Sequence, residues 1–256
     1  GNLHKMAFAQ GEPVAPLEVL EGKCAKRATG TRVHFWPEAK YFDSPKFALK
    51  ALKHNLKAKA VLAAGLQIIY IDEINNEKIE WQFENGLVDY LMDELQDREI
   101  LPMPAFVATG AAERASAEFA ICWNAEGGEQ VQESYVNLIP TAQGGTHVNG
   151  LRSGVTDAIR EFCELRNLLP RNMKLSAEDV WDGVNYILSL KFQEPQFSGQ
   201  TKERLSSREA SGIVLNIAKD AFALWLNQNS EIAMQLAEMA IAKAGRRLKA
   251  AKKVER

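Results

Sequence analysis

The sequence predicts an α+β fold, and two observations support this prediction. Several β-rich runs separated by turn residues occur between residues 66 and 192. Two stretches of helical periodicity then follow, from about Ser206 to Lys253. No internal repeat or shift in composition divides residues 45–256. We therefore expect one α+β domain that ends in long helices.

The first forty residues predict short strands and turns with no helix. The strand-like runs are 3–9, 17–20 and 31–36, and the last stops at Pro37. Strands without a covering helix leave a sheet face exposed. We therefore interpret this segment as the tail of a larger structure.

The middle of the chain predicts a helix, a hairpin and a second helix. Ser44 and Pro45 resemble a helix start, and an apolar stripe continues to Ala60. Asn75 and Asn76 tolerate positive φ, which favours a hairpin. The predicted strands of this hairpin are 66–72 and 78–84, and helical spacing returns at Leu87, Leu91 and Leu95.

A second hairpin is predicted from residues 115–123 and 129–139 around the turn Glu126-Gly127-Gly128. Gly144-Gly145-Thr146 then precedes a helix that runs to about Leu168. Ser176 and Asp179 have the spacing of a capping box. A strand at 184–192 and a loop at 195–199 lead to the two final helices.

Composition limits the classes of function. The 256 residues, 46% of them hydrophobic, are enough for a sizeable core. The net charge of -2 argues against a surface that binds nucleic acid everywhere, so any DNA contact must be local. The sequence has no signal peptide and no apolar run of about 18 residues, so we expect a cytoplasmic protein without membrane contact.

The loop 196–202 is the best candidate for contact with a ligand. Gly199 allows the backbone to approach an oxyanion, Gln200 offers amide donors and Lys202 offers a point charge suited to a terminal phosphate. The residues alone are more typical of a solvated loop before a helix. No catalytic motif surrounds the four histidines, and no metal-binding motif occurs.

The end of the chain is strongly basic. Its cations suit either the negative end of a helix dipole or contact with DNA phosphates, and the residues leave both interpretations open. The cations are Lys243, Arg246, Arg247, Lys249, Lys252, Lys253 and Arg256.

Several motifs resemble the ATPase subunits of bacterial type IIA topoisomerases. The run Tyr135–Arg152, with Gly-Gly-Thr-His at its centre, is the most specific, and its residues 148–152 favour the topoisomerase IV branch over gyrase. Three further matches occur at 174–179, 196–206 and 220–229. The resemblance covers nearly the whole chain.

This resemblance implies a ribosomal protein S5 domain 2-like transducer fold with long C-terminal helices, preceded by the last strands of a GHKL ATPase domain. Residues 1–38 are then the C-terminal strands of a truncated GHKL domain, and 39–256 are the transducer. The segment 30–37 is similar to the closing GHKL strand, although Glu38 follows it where aspartate is common. The resemblance also implies that Thr31 lies beside the nucleotide.

In function, the resemblance implies that Gln200 and Lys202 touch the ATP γ-phosphate and couple its hydrolysis to DNA strand passage, decatenation and relaxation. ATP and Mg²⁺ serve the full-length protein, and we expect neither to bind stably to these residues, which include no catalytic group. The implied partners are DNA, the A subunit of topoisomerase IV in a heterotetramer, and the protein's own GHKL and TOPRIM domains. Possible contacts in the DNA cavity are Arg152, Arg246, Arg247 and Lys249.

Two alternatives remain at this stage. One is the B subunit of gyrase, which shares the mechanism but differs in product. The other is a free-standing S5-like module that binds nucleic acid through its basic end.

Overall fold

The computed structural model describes residues 1–25, 27–84, 86–96, 98–125 and 128–254, with side chains to residue 251. The chain divides into two compact units, Gly1–Leu49 and Lys50–Arg256. Among the described residues, none of the helices is both long and apolar enough to cross a bilayer.

The N-terminal unit contains four short strands in two antiparallel pairs. Strands β1 (Leu3–Lys5) and β4 (Glu18–Leu20) form one pair, and β2 (Phe8–Ala9) and β3 (Glu12–Pro13) form the other. None of the unit's described residues is buried. The predicted strand at 31–36 is wrong, because a strand needs a hydrogen-bonded neighbour and these residues pair with no other described segment.

The second unit begins its β-structure with the predicted hairpin. Strands β5 (Ile68–Asp72) and β6 (Glu77–Trp81) pair antiparallel, which confirms this prediction. The Asp72 side chain stabilises the turn by accepting hydrogen bonds from the backbone N–H groups of Ile74 and Asn75, both at 3.0 Å. Asn76 has the positive φ of 52° that the sequence suggested.

The main sheet has five strands in the order β10-β9-β11-β8-β7. Strands β11 and β9 run parallel, and all other neighbours run antiparallel, so the sheet is mixed. The strands are β7 (Ile100–Ala112), β8 (Ala115–Asn124), β9 (Gln132–Val136), β10 (Ile139–Pro140) and β11 (Val184–Phe192).

The predicted hairpin of residues 115–123 with 129–139 is wrong. Strand β8 pairs with β7 and β11, and β11 separates it from β9. An alternating pattern identifies a half-buried strand but not its partner, which explains the error. Strand β7 was not predicted. Two residues of the predicted turn, Glu126 and Gly127, lie outside the described residues.

Six helices complete the described structure: α1 (Leu49–Leu62), α2 (Leu87–Leu95), α3 (Thr146–Leu165), α4 (Ala177–Trp181), α5 (Arg208–Gln228) and α6 (Ser230–Val254). Helix α1 begins later than predicted, because the Ser44 hydroxyl accepts a hydrogen bond from the Lys46 N–H in a local turn instead. The capping box of α4 is confirmed, with the Ser176 side chain and Asp179 bonded reciprocally.

The main sheet has a hydrophobic core on each face. Alternate residues of β8 separate the two cores: Phe119, Ile121 and Trp123 join the core with α3, α5 and α6, whereas Ala120 and Cys122 join the core with α1 and α2. This alternation follows from the two-residue period of a strand. The sheet is therefore covered on both sides by helices.

The predicted S5 domain 2-like transducer fold with long C-terminal helices is wrong. The fold is α+β around the mixed five-stranded sheet, and the two final helices are part of its larger core. Helix α5 buries Val214 and Phe222 there, and α6 buries Leu236 and Ala240. The periodicity of residues 206–253 showed two long helices correctly but could not show that they pack back onto the sheet.

Candidate functional site

The loop between β11 and α5 carries Gln200, Thr201 and Lys202 at its tip, where all three are exposed. A turn forms the tip: the Lys202 N–H donates to the Gly199 carbonyl at 3.1 Å, and Lys202 has a φ of 58°. The side chain of Lys202 makes no hydrogen bond or ion pair with any described residue. Its ammonium group is therefore available to an anion.

The base of this loop is bonded to the start of α3. The Leu205 N–H donates to the Gly144 carbonyl at 3.0 Å, and the Thr146 N–H donates to the Leu205 carbonyl at 3.1 Å. The Thr146 hydroxyl also donates to the Ser207 carbonyl at 2.7 Å, next to the first residue of α5. The structure thus brings together the Gly-Gly-Thr-His motif and the Gln-Thr-Lys loop.

Gly145 makes this approach possible. A Cβ atom at this position would lie 2.3 Å from the Leu205 carbonyl oxygen and 2.6 Å from the Leu205 nitrogen, and the φ of 137° is one that other residues rarely adopt. Any side chain would force the loop base away from α3. The close approach of the Leu205 backbone therefore explains why glycine is needed at position 145.

Three buried polar side chains form a network at the turn before α3. The Ser134 and Thr141 hydroxyls lie 2.7 Å apart, and Nε2 of His147 lies 3.1 Å from Thr141 Oγ1. Each hydroxyl also lies within hydrogen-bond distance of the other residue's backbone carbonyl. Burial lowers the pKa of His147 to about 4, so its ring is neutral at pH 7. This network fixes the turn that leads into α3.

Among the described basic residues of α6, Lys243 pairs with Asp182 at 3.3 Å, and Arg247 is also engaged within the protein. Its Nε and Nη2 atoms donate to the Asp179 carboxylate at 2.8 and 2.7 Å, and Nη2 also donates to the Lys174 carbonyl. Burial disfavours the charged form of Asp179, but hydrogen bonds from Arg247 and Ser176 outweigh it and lower the pKa of this carboxyl group. Arg247 therefore holds α6 against the start of α4.

The other predicted site residues lie on other parts of the chain. Arg246 and Lys249 lie on α6, and Arg152 is half-buried on α3 with no partner for Nε among the described residues. Thr31 is exposed in the N-terminal unit. The side chains of Lys252 and Lys253, and Arg256 as a whole, lie outside the described residues. Within the described ranges, no three His, Cys, Asp or Glu side chains converge on a metal site.

Structural comparison places the fold among topoisomerase ATPase domains. The structure is similar to the topoisomerase IV ATP binding domain of Francisella tularensis, bound to a small-molecule inhibitor, with a TM-score of 0.83 and 40% identity over 97% of this chain and 67% of that one. It is also similar to the 43K ATPase domain of Thermus thermophilus gyrase B, with a TM-score of 0.77 and 26% identity over 98% of this chain and 68% of that one. These matches contradict a separate transducer fold.

Sequence comparison then defines the family. Residues 70–256 match the family model described as DNA gyrase B, so the chain belongs to the DNA gyrase B family. It is 59% identical over 255 residues to the B subunit of DNA topoisomerase 4 from Pseudomonas aeruginosa, with 100% of this chain aligned. The chain spans only 40% of that relative's length. The resemblance of the sequence motifs to this family is confirmed.

Proposed function

We propose that the chain is part of the B subunit of an ATP-dependent type IIA topoisomerase of the topoisomerase IV kind. The 59% identity to the B subunit of a DNA topoisomerase 4, against 30% to the B subunit of a DNA gyrase, supports this choice over gyrase. In this proposal the whole enzyme decatenates and relaxes DNA together with the A subunit, and it uses ATP and Mg²⁺.

Within that protein, Gln200 and Lys202 contact the γ-phosphate of ATP. The observation that carries this proposal is the geometry of the loop: its tip is exposed and carries an ammonium group unpaired among the described residues, while its base is bonded firmly to α3. A charge-assisted hydrogen bond to phosphate contributes about 1.5–3 kcal/mol. The loop therefore has the charge, the donors and the support that a phosphate contact needs.

The loop also suits a coupling role. Its base joins the first turns of α3 and α5, which run side by side across one face of the sheet. A displacement of Lys202 by bound phosphate would therefore be transmitted to both helices. Loss of the phosphate after hydrolysis would release the loop. This arrangement supports the proposed coupling of ATP hydrolysis to strand passage.

Residues 1–38 belong, in this proposal, to the nucleotide-binding core, with Thr31 on its nucleotide side, and residues 39–256 form the coupling domain. The exposed apolar side chains of Phe8, Phe35 and Trp36 support the assignment, because such surfaces are usually covered in the assembled protein. Arg152, Arg246 and Lys249 are the proposed DNA contacts.

Replacing Lys202 tests the proposal. In the full-length protein, assembled with the A subunit, we expect Lys202→Ala to lower kcat/KM for ATP hydrolysis by about tenfold or more, because one charge-assisted bond is lost. DNA decatenation should fall in parallel. The matched control is Lys191→Ala, an exposed lysine on β11. Wild-type rates for Lys202→Ala would refute the phosphate contact.

A further inference from the structure

A second contact holds the loop close to its tip. The Gln143 backbone N–H donates to the Glu203 carbonyl at 2.9 Å, and the Gln143 side-chain amide donates to the Glu203 carboxylate at 2.7 Å. Both side chains are exposed. Glu203 directly follows Lys202, so this contact lies one residue from the proposed phosphate ligand.

The turn that carries Gln143 is firmly fixed. The Gly144 N–H closes it by donating to the Thr141 carbonyl at 2.8 Å, and Thr141 is bonded in turn to Ser134 and His147 in the buried network. The backbone of Gln143 is therefore held in place before any ligand arrives, and its side-chain amide reaches Glu203 from this fixed position.

The Gln143 contact determines where the charge of Glu203 lies. The carboxylate is bonded to the amide of Gln143, and the Lys202 side chain beside it has no ion-pair partner among the described residues. Without that amide, the carboxylate would be free to turn toward Lys202 and neutralise it, or to repel an incoming phosphate. The contact therefore both anchors the tip and keeps the cation unpaired.

We infer that Gln143 and Glu203 are positioning residues for the γ-phosphate contact of Lys202. Gln143 binds the carboxylate of Glu203, fixes the backbone beside Lys202 and leaves its ammonium group free for phosphate. The inference rests on the proposed function, since it assigns these two residues a role only through Lys202.

The test uses ATP hydrolysis by the full-length protein assembled with the A subunit. Gln143→Ala should lower kcat/KM for ATP by about three- to tenfold, the effect of one ordinary solvent-exposed hydrogen bond, with no change in Tm. Gln193→Ala is the matched control, because Gln193 is exposed on the same connection and its side chain makes no hydrogen bond to the described residues.

Two double variants separate positioning from a merely structural role. In the Lys202→Ala background, Gln143→Ala should cause no further loss. In the Gln143→Ala background, Glu203→Gln should restore kcat/KM to within about twofold of wild type, because the competing charge is gone. Equal losses from Gln143→Ala with and without Lys202, or failure of this rescue, would overturn the inference.

The outcomes also distinguish this inference from the proposed function. If Lys202→Ala lowers ATP hydrolysis but Gln143→Ala does not, the positioning role alone is refuted. If Lys202→Ala has no effect, the phosphate contact itself is refuted, and the positioning role falls with it.

Discussion

His147 shows how a single buried residue links the sequence motif to the loop. Its ring is fully buried, and its side chain is hydrogen-bonded to Thr141 at 3.1 Å. A charged imidazole in this place would lack solvation and a counter-charge. The neutral side chain of His147 therefore packs inside the protein and, through its hydrogen bond to Thr141, orients the turn before α3.

This burial predicts a pH-dependent stability. The pKa of His147 falls from an ordinary 6.5 to about 4 in the folded chain, so the unfolded state binds the proton more tightly. His147 therefore lowers the free energy of unfolding only below about pH 6.5. This loss grows as the pH falls toward 4 and reaches roughly 3 kcal/mol in total. Urea denaturation of the 256-residue chain at pH 7 and pH 4.5 measures this loss.

The variant His147→Gln provides the control for that measurement. It should be less stable at pH 7 but should lose less stability than the wild type between pH 7 and 4.5. Asp179 does not contribute in this window, because its pKa is lowered from 3.8 and its stabilisation is lost only at more acidic pH. An identical pH dependence in both proteins would contradict the role of His147.

At the residue scale, sequence reasoning found the tip of the loop but not its supports. Gln200 and Lys202 were identified by resemblance to a known motif, and their role stays a proposal. Ser134, Gln143 and Thr141 were not identified as supports, because each contacts partners that only the fold brings near. An ordinary serine or glutamine gives no sequence signal of such a contact.

At the scale of elements, the close crossing of α3 and α5 depends on two glycines. A Cβ at Gly150 would lie 2.4 Å from the Ser211 carbonyl oxygen, and one at Gly154 would lie 2.5 Å from that of Leu215. The backbones of the two helices therefore touch directly. This contact makes the helix pair rigid, as the proposed coupling role requires.

Gly150→Ala should destabilise the chain by about 2–4 kcal/mol, because the added methyl group forces the two helices apart. Gly212→Ala is a matched control on α5: among the described residues, no atom beyond its own helix turn lies within 4 Å of the added Cβ. That substitution should instead stabilise the chain by about 0.5–1 kcal/mol through helix propensity. Equal effects of both substitutions in urea denaturation would refute the close crossing.

The ion pair of Arg247 with Asp179 joins α6 to α4, and its loss should be costly. The Asp179 side chain is only 3% exposed, so Arg247→Ala leaves a buried carboxylate without its cation. We expect a loss of roughly 2 kcal/mol, moderated by the partial exposure of Arg247. Arg246→Ala, at the neighbouring position, should change stability by less than about 0.5 kcal/mol. Equal thermal stability of the two variants would contradict this role.

The predictions for individual elements succeeded where the signal was local. The β5–β6 hairpin, the α4 capping box and the strand at 184–192 each depend on residues close in sequence, and the structure confirms them. The pairing of β8 was mispredicted, because the preceding strand β7 was not recognised and the other neighbour, β11, lies about sixty residues further along the chain. The start of α1 was missed because a local turn competes for Ser44.

At the scale of the whole molecule, the sequence could not predict the order of strands in the sheet. Strand β11 inserts between β8 and β9, a long-range arrangement that no local pattern encodes. The transducer fold, which the family resemblance implied, was wrong for a related reason, because matching motifs do not show how the long terminal helices pack. Family membership, in contrast, was predictable, because specific motifs such as Gly-Gly-Thr-His identify it without knowledge of the packing.

The central claim is that the ammonium group of Lys202 contacts the γ-phosphate of ATP. The most direct measurement is a structure of the full-length protein with a nonhydrolysable ATP analogue. We predict Nζ of Lys202 within about 3 Å of a γ-phosphate oxygen, with the Gln143–Glu203 contact intact. A Lys202 side chain directed away from the nucleotide would contradict the claim.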